Sequence, residues 1–166
     1  MPEKATLERA KKDKREGKAP STQAGEFVRE EIEHIRAGKH GARSAKQAIA
    51  IGLSKARRAG VDLPPPAKGT TSEQTRRSAE SAYQAGQAGD DKVSPARSRA
   101  ATRALKREGG AAASTTALAR HAHSAAANRT ASERSAAARK AVKTKGAAKR
   151  SAFARKAART RARTSA

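Results

Sequence analysis

Four histidines are the side chains in this cysteine-free chain best suited to metal or proton chemistry: His34, His40, His121 and His123. His121 and His123 form "HAH". On a helix, two residues two apart diverge by about 200°, and no acid or cysteine lies near them to complete a ligand set. They read as exposed imidazoles of an Ala-rich segment. His40 sits in the turn "GKHGAR", residues 38–43, between Lys39 and Arg43 and just ahead of a helix start. Backbone N–H groups and cations meet there, the arrangement that binds a phosphate. There are four aspartates: Asp13, Asp62, Asp90 and Asp91. None lies in a stretch able to build an apolar pocket, so no Ser-His-Asp set can be assembled. "AGQAGDD", residues 85–91, has two glycines but no flanking strand, and no Walker loop occurs. The sequence therefore assigns no catalytic residue, no metal ligand and no cofactor, and the chain reads as a non-enzyme.

Positive charge is the stronger signal. The chain has 166 residues, with 38 Lys+Arg against 15 Asp+Glu and a net charge of +23. Such an excess repels itself and calls for a polyanion. From Gly109 onward there are 14 basic residues and one acid, Glu133. Arg155, Arg159 and Arg163 are spaced by four, as are Arg139 and Lys143. Stacked on a helix these like charges repel, and phosphates would remove the repulsion. The expected phosphate contacts also include Arg97 and Arg99 ahead of Gly109, and Lys140, Lys145 and Lys149 beyond it. Arg150, Lys156 and Arg161 complete them. Lys39, Arg43, Lys46, Lys55 and Arg58 are expected to touch backbone phosphate from the edges of the N-terminal module. Only three aromatics occur, Phe27, Tyr83 and Phe153. Single-strand binding stacks bases on aromatic rings, so duplex DNA is favoured. An RNA- or ribosome-associated role is one rival. A module whose tail binds an acidic protein or anionic lipid is another. No apolar run approaches the ~18 residues of a membrane span, and the N-terminus lacks the apolar stretch of a signal peptide. A cytoplasmic, nucleoid location follows as the expectation, with no membrane partner.

Two helices must position the N-terminal basic residues. In the first, Ala24, Val28, Ile32 and Ile35 recur on one face, with Phe27 on its shoulder. Ser21 or Thr22 can cap it and Gly38 can stop it. The second lies in "SAKQAIAIGLSKARRAG", residues 44–60. Ser44 and Gln47 fit a capping box. Ile49, Gly52, Leu53 and Ala56 share a face, and Gly60 followed by Pro64 ends the helix. Gln47 could instead pair with adenine from the start of a reading helix, but the six-residue turn is long for a helix-turn-helix. The helix therefore reads as core first and phosphate contact second. Ile51 points away from the seam, where the first helix, a second copy of the chain or nothing could cover it, and a homodimer through residues 27–53 is the expectation preferred.

The expected architecture is mostly α. Residues 1–20 form a basic helical arm, 21–63 a helical hairpin module and 64–72 a Pro/Gly linker. Residues 73–166 form a basic, Ala-rich, low-complexity tail. The tail has almost no large apolar side chains, so it is expected to be disordered, with transient or binding-induced helices.

"KQAIAIGLSKARRAG", residues 46–60, resembles the signature segment of a small bacterial family of unknown function. "HIRAGKHGARSAKQAIAIGL", residues 34–53, extends the likeness. It implies a bacterial origin and carries no catalytic residues. Gly52 and Lys55 depart from the Ala and Glu expected there. The tail from 109 is similar in composition to the basic tails of linker histones and bacterial histone-like proteins. "SPAR", residues 94–97, resembles their Ser-Pro-basic motifs, which favour A/T-rich minor grooves. The combined expectation is a non-specific DNA-binding, histone-like nucleoid-associated protein that neutralises DNA and condenses or bridges it.

Overall fold

The computed structural model describes residues 2–89 and 94–164, except the side chains of residues 143–145, 147, 149 and 164. The described residues form seven α-helices and one 3-10 turn: α1 Lys4–Arg15, α2 Pro20–Arg36, α3 Ala45–Arg58, α4 Glu73–Gln87, α5 Pro95–Lys106, the 3-10 turn Gly110–Ala113, α6 Thr115–Ala127 and α7 Ala131–Thr164. They divide into two compact units, residues 1–121 and residues 122–166.

The two expected helices are present. Pro20 stands in the first turn of α2, with Ala19 at its N-cap, so neither Ser21 nor Thr22 caps it. The fixed φ of Pro suits that position, and its missing N–H costs nothing there. Ser44 caps α3 as expected, its Oγ accepting from Gln47 N at 3.2 Å. Gln47 Oε1 reaches back one residue further than a capping box requires and accepts from Arg43 N at 2.8 Å. Gly38 and Gly60 adopt φ of +70° and +80° and end the two helices.

The seam between α2 and α3 differs from the apolar stripe read in the sequence. The buried face of α3 is Ala45, Ala48, Gly52 and Ala56, while Ile49 and Ile51 are half-buried beside it. Small residues let the two backbones approach closely. Phe27, placed on the shoulder by sequence, is 1% exposed and central. It packs with Ala10, Ala24, Ala56 and Val61, flanked by Leu7, Leu53 and Leu63. A second cluster joins Ile32, Ile35, Ala42 and Ala48 to Ala112 and Ala113, with Val28 and Leu118 against it.

Those clusters place the N-terminal helix and correct one expectation. α1 docks through Leu7 and Ala10 beside Phe27. The tail is not a long disordered segment, because helices continue through the described residues to 164. Its first part folds into unit 1. Ala79 and Ala82 of α4 are buried, and Tyr83 Oη donates to Asp62 Oδ1 at 2.7 Å. Near the 3-10 turn, Arg36 Nε donates to Ala113 O at 2.9 Å and Ala42 N to Gly109 O at 3.1 Å. Alanine explains the error. Each buried Ala removes little area, yet its backbone can lie close against a neighbouring helix, and it is the strongest helix former.

In unit 2, α7 opens with a capping box formed by Thr130 and Glu133. Glu133 N donates to Thr130 Oγ1 at 3.2 Å, and Thr130 N donates to Glu133 Oε2 at 2.8 Å. Gly146, at φ 66° and ψ 168°, interrupts α7.

Candidate functional site

Two places in the chain concentrate chemistry. The first lies where α2, α3 and the turn between them meet. Glu30 and Glu31 are 2% and 0% exposed, although they are adjacent carboxylates on α2. Lys55 of α3 reaches between them, its Nζ 2.6 Å from Glu31 Oε2 and 3.5 Å from Glu30 Oε1. The ammonium lies off the hydrogen-bonding direction of both. Glu31 Oε1, Glu31 Oε2 and Glu30 Oε1 are thus buried with no hydrogen-bond partner. The other oxygen of Glu30 accepts from the backbone N–H of Glu3 at 3.1 Å, which ties the start of α1 to α2.

Two imidazoles complete this site. His40 Nε2 stands 3.4 Å from Glu31 Oε1. His40 Nδ1 lies 3.1 Å from the carbonyl oxygen of Gly41. In a neutral ring that contact places the proton on Nδ1 and directs the Nε2 lone pair at the carboxylate. His34 follows Glu31 by three residues, hence on the same face of α2. Its Nε2 is 2.8 Å from Glu3 Oε1, and Lys39 Nζ is 3.0 Å from the same atom. These contacts from His34 and then Lys39 hold the Glu3 carboxyl down at about 2. The two rings meet edge to face, with centroids 6.2 Å apart at 88°. One ligand atom from each of Glu31, His34 and His40 lies within 4.8 Å of the others.

The second place is the basic surface. Arg134, Arg139, Arg150, Arg155, Lys156, Arg159 and Arg163 of α7 are exposed, as are Lys140 and Arg161. Helical spacing brings Arg155, Arg159 and Arg163 to one face. Lys143, Lys145 and Lys149 have side chains outside the described residues. Arg97 and Arg99 are exposed on α5, and Lys46 and Arg58 on α3. Arg43 is exposed with Nε 3.7 Å from Glu108 Oε1. Lys39 is exposed but bonded to Glu3. Lys55 departs from its expected role. It turns inward to the buried carboxylates, and a phosphate contact would require it to abandon both. His121 is half-buried and His123 exposed.

The carboxylate–imidazole cluster is not evident in the sequence, where the neighbours of His40 are the cations Lys39 and Arg43 and not Glu31. The available signal was Glu30-Glu31-x-x-His34, a carboxylate and an imidazole three apart on an amphipathic helix. It looked like surface charge because Lys55 and His40 are distant in sequence.

Residues 5–68 match a family of unknown function (DUF6496). That span covers α1, α2 and α3, and so includes Glu30, Glu31, His34, His40 and Lys55. It agrees with the resemblance read from residues 34–60. No curated protein and no solved structure matches the chain. No helix among the described residues is long and apolar enough to cross a membrane.

Proposed function

We propose that the protein binds duplex DNA without sequence preference, through α7 and the basic residues of α5. One observation carries this reading. The described residues of α7 are exposed along its length, it bears a single acid, and it has no apolar face to dock on protein. A helix polar all round has no core face to hold it, and a polyanion would supply the partner that its charge calls for. Regularly placed Lys and Arg neutralise phosphate and release counterions, which gives affinity without reading bases. The scarcity of aromatic residues supports a duplex over a single strand. Condensation or bridging of duplexes would follow from several basic helices on one chain.

Titration of the full chain against labelled duplex DNA, structured RNA and anionic vesicles tests this. Contact with about 6–10 phosphates predicts a loss of roughly 10³–10⁵ in affinity between about 50 and 200 mM salt, equal for unrelated duplexes. Salt-insensitive binding overturns the reading, as does preference for RNA or vesicles over duplex DNA.

A further inference from the structure

The geometry points to a site for a single divalent transition-metal ion of the zinc class, held by Glu31, His34 and His40. The inference is independent of DNA binding.

Three observations converge. The first is a buried charge without a hydrogen bond. Both oxygens of Glu31 lack one, although the side chain is fully buried. Lys55 offsets its charge, but neither oxygen gains a hydrogen bond, so the carboxylate keeps unused coordinating capacity. The second is the orientation of His40. Its Nδ1–H is turned to a backbone carbonyl, and its remaining nitrogen faces Glu31 Oε1 at 3.4 Å. An imidazole nitrogen and a carboxylate oxygen so disposed can share one cation between them, a proton or a metal ion. A second-shell hydrogen bond from the far nitrogen is also how metal-bound imidazoles are held. The third is that a cation already stands beside the carboxylate: Lys55 Nζ, 2.6 Å from Glu31 Oε2.

The donor set is one carboxylate and two imidazoles. It suits Zn²⁺ and its first-row neighbours, with a fourth position left for water. Hard ions such as Mg²⁺ and Ca²⁺ prefer all-oxygen shells. Bonds of about 2.0–2.2 Å to Zn²⁺ require ligand atoms roughly 3.4 Å apart in a tetrahedron. The 4.8 Å limit observed here must therefore close by about 1.4 Å at most, within the reach of side-chain rotation. Glu3 would orient His34 through Nε2, as Gly41 orients His40. The metal and the Lys55 ammonium compete for Glu31. Lys55 is partly exposed, at 23%, and its flexible stem can carry the ammonium out to water. The ion thus exchanges with a built-in cation.

The test uses the full chain, stripped with chelator and titrated with Co²⁺ and then Zn²⁺ in the absence of nucleic acid. The expected result is one equivalent bound, with a visible Co²⁺ spectrum of nitrogen and oxygen ligation that Zn²⁺ erases. His40→Gln weakens binding at least about tenfold. Glu31→Gln does the same, and far-ultraviolet circular dichroism equal to that of the native chain separates loss of binding from loss of fold. His121→Gln with His123→Gln leaves binding unchanged. Lys55→Met binds the metal more tightly than the native chain. The absence of one-equivalent binding overturns the proposal. So does binding that survives both Glu31→Gln and His40→Gln, or that disappears with His121 and His123.

Discussion

A Cβ built on Gly52 of α3 would lie 2.6 Å from the Cα of Val28 on α2. The two helices therefore touch backbone to backbone, and only glycine fits. In an open helix, Gly→Ala would gain up to about 1 kcal/mol from propensity. Here the obstacle is main chain, so no rotamer relieves it, and overpacking of this kind costs about 1–3 kcal/mol. Gly52→Ala is expected to lose about 1–2 kcal/mol net, read as a lower urea midpoint. A midpoint equal to or above the native value would show that the seam yields.

Arg57 has the opposite character, a charged side chain used inside. It is 6% exposed. Its Nε donates to Leu63 O at 3.0 Å and its Nη2 to Pro64 O at 3.2 Å. Burial pushes its pKa down, but a guanidinium starts so high that it keeps its charge. It clasps the chain after α3 so that Val61 and Leu63 reach Phe27. Arg57→Met keeps most of the apolar stem and strands two carbonyls. The expected loss is about 1.5–3 kcal/mol, and Arg57→Lys should recover only part of it. Denaturant unfolding of the three proteins measures this.

Those residues show what the sequence made legible. The start of α3 and the stops of both helices are plain in the sequence, because Ser44, Gly38 and Gly60 act through local backbone geometry, whereas α2 starts at Ala19 and Pro20 and not at the Ser21 or Thr22 cap expected. The docking of α4 and of the 3-10 turn was hidden. It relies on Ala79, Ala82, Ala112 and Ala113, and a Cβ on Gly86 would overlap the Arg57 carbonyl. Such contacts come from close backbones, whereas sequence patterns register large apolar side chains. Glu30 and Glu31 were hidden for another reason. A buried acid looks like a surface acid until the residues that compensate it are placed beside it, and Lys55 and His40 are placed by the fold.

Tyr83 is the single tyrosine, and the chain has no tryptophan, so tyrosinate absorbance reads one residue. The hydrogen bond it donates to Asp62 is the leading cause that raises its pKa above the usual 10.0, with burial next. A bond made only by the protonated phenol stabilises the folded state fully below the unfolded pKa. That contribution disappears as pH rises through the higher folded value. Spectrophotometric titration should give a midpoint above that of the unfolded chain. Asp62→Asn should move it back towards 10, because the amide bears no charge. Equal midpoints in the two proteins would mean that α4 is not held at Asp62.

Arg159 stands one helical turn from both Arg155 and Arg163. Arg159→Glu converts two repulsive spacings into attractive ones. Helicity of α7 by circular dichroism should therefore hold or rise, while duplex affinity falls and its salt dependence becomes shallower. Arg159→Ala should fall between the two. Affinity that follows helicity upward would contradict phosphate contact by this face.

Gly146 makes the same substitution informative in the opposite sense from Gly52. Nothing lies within 4 Å of a Cβ placed there, so space does not oppose a side chain. The conformation does. At φ 66° and ψ 168° the backbone is in a region essentially closed to residues with a Cβ. Arg150 Nε donates to the Gly146 carbonyl at 3.2 Å, supplying an acceptor at the break with a donor. In Gly146→Ala the strained conformation is abandoned, and alanine favours helix over glycine by about 1 kcal/mol. The two segments should fuse into one straight helix about 50 Å long, with a larger helical dichroism and a higher melting temperature of that signal. Net charge is unchanged, so the variant separates charge from geometry. A duplex backbone curves away from a straight rod, and two jointed segments follow it further. Duplex affinity should drop severalfold and the salt slope should shrink as phosphates are lost. Helicity that rises with affinity and slope intact would assign binding to charge alone and remove any role for the break.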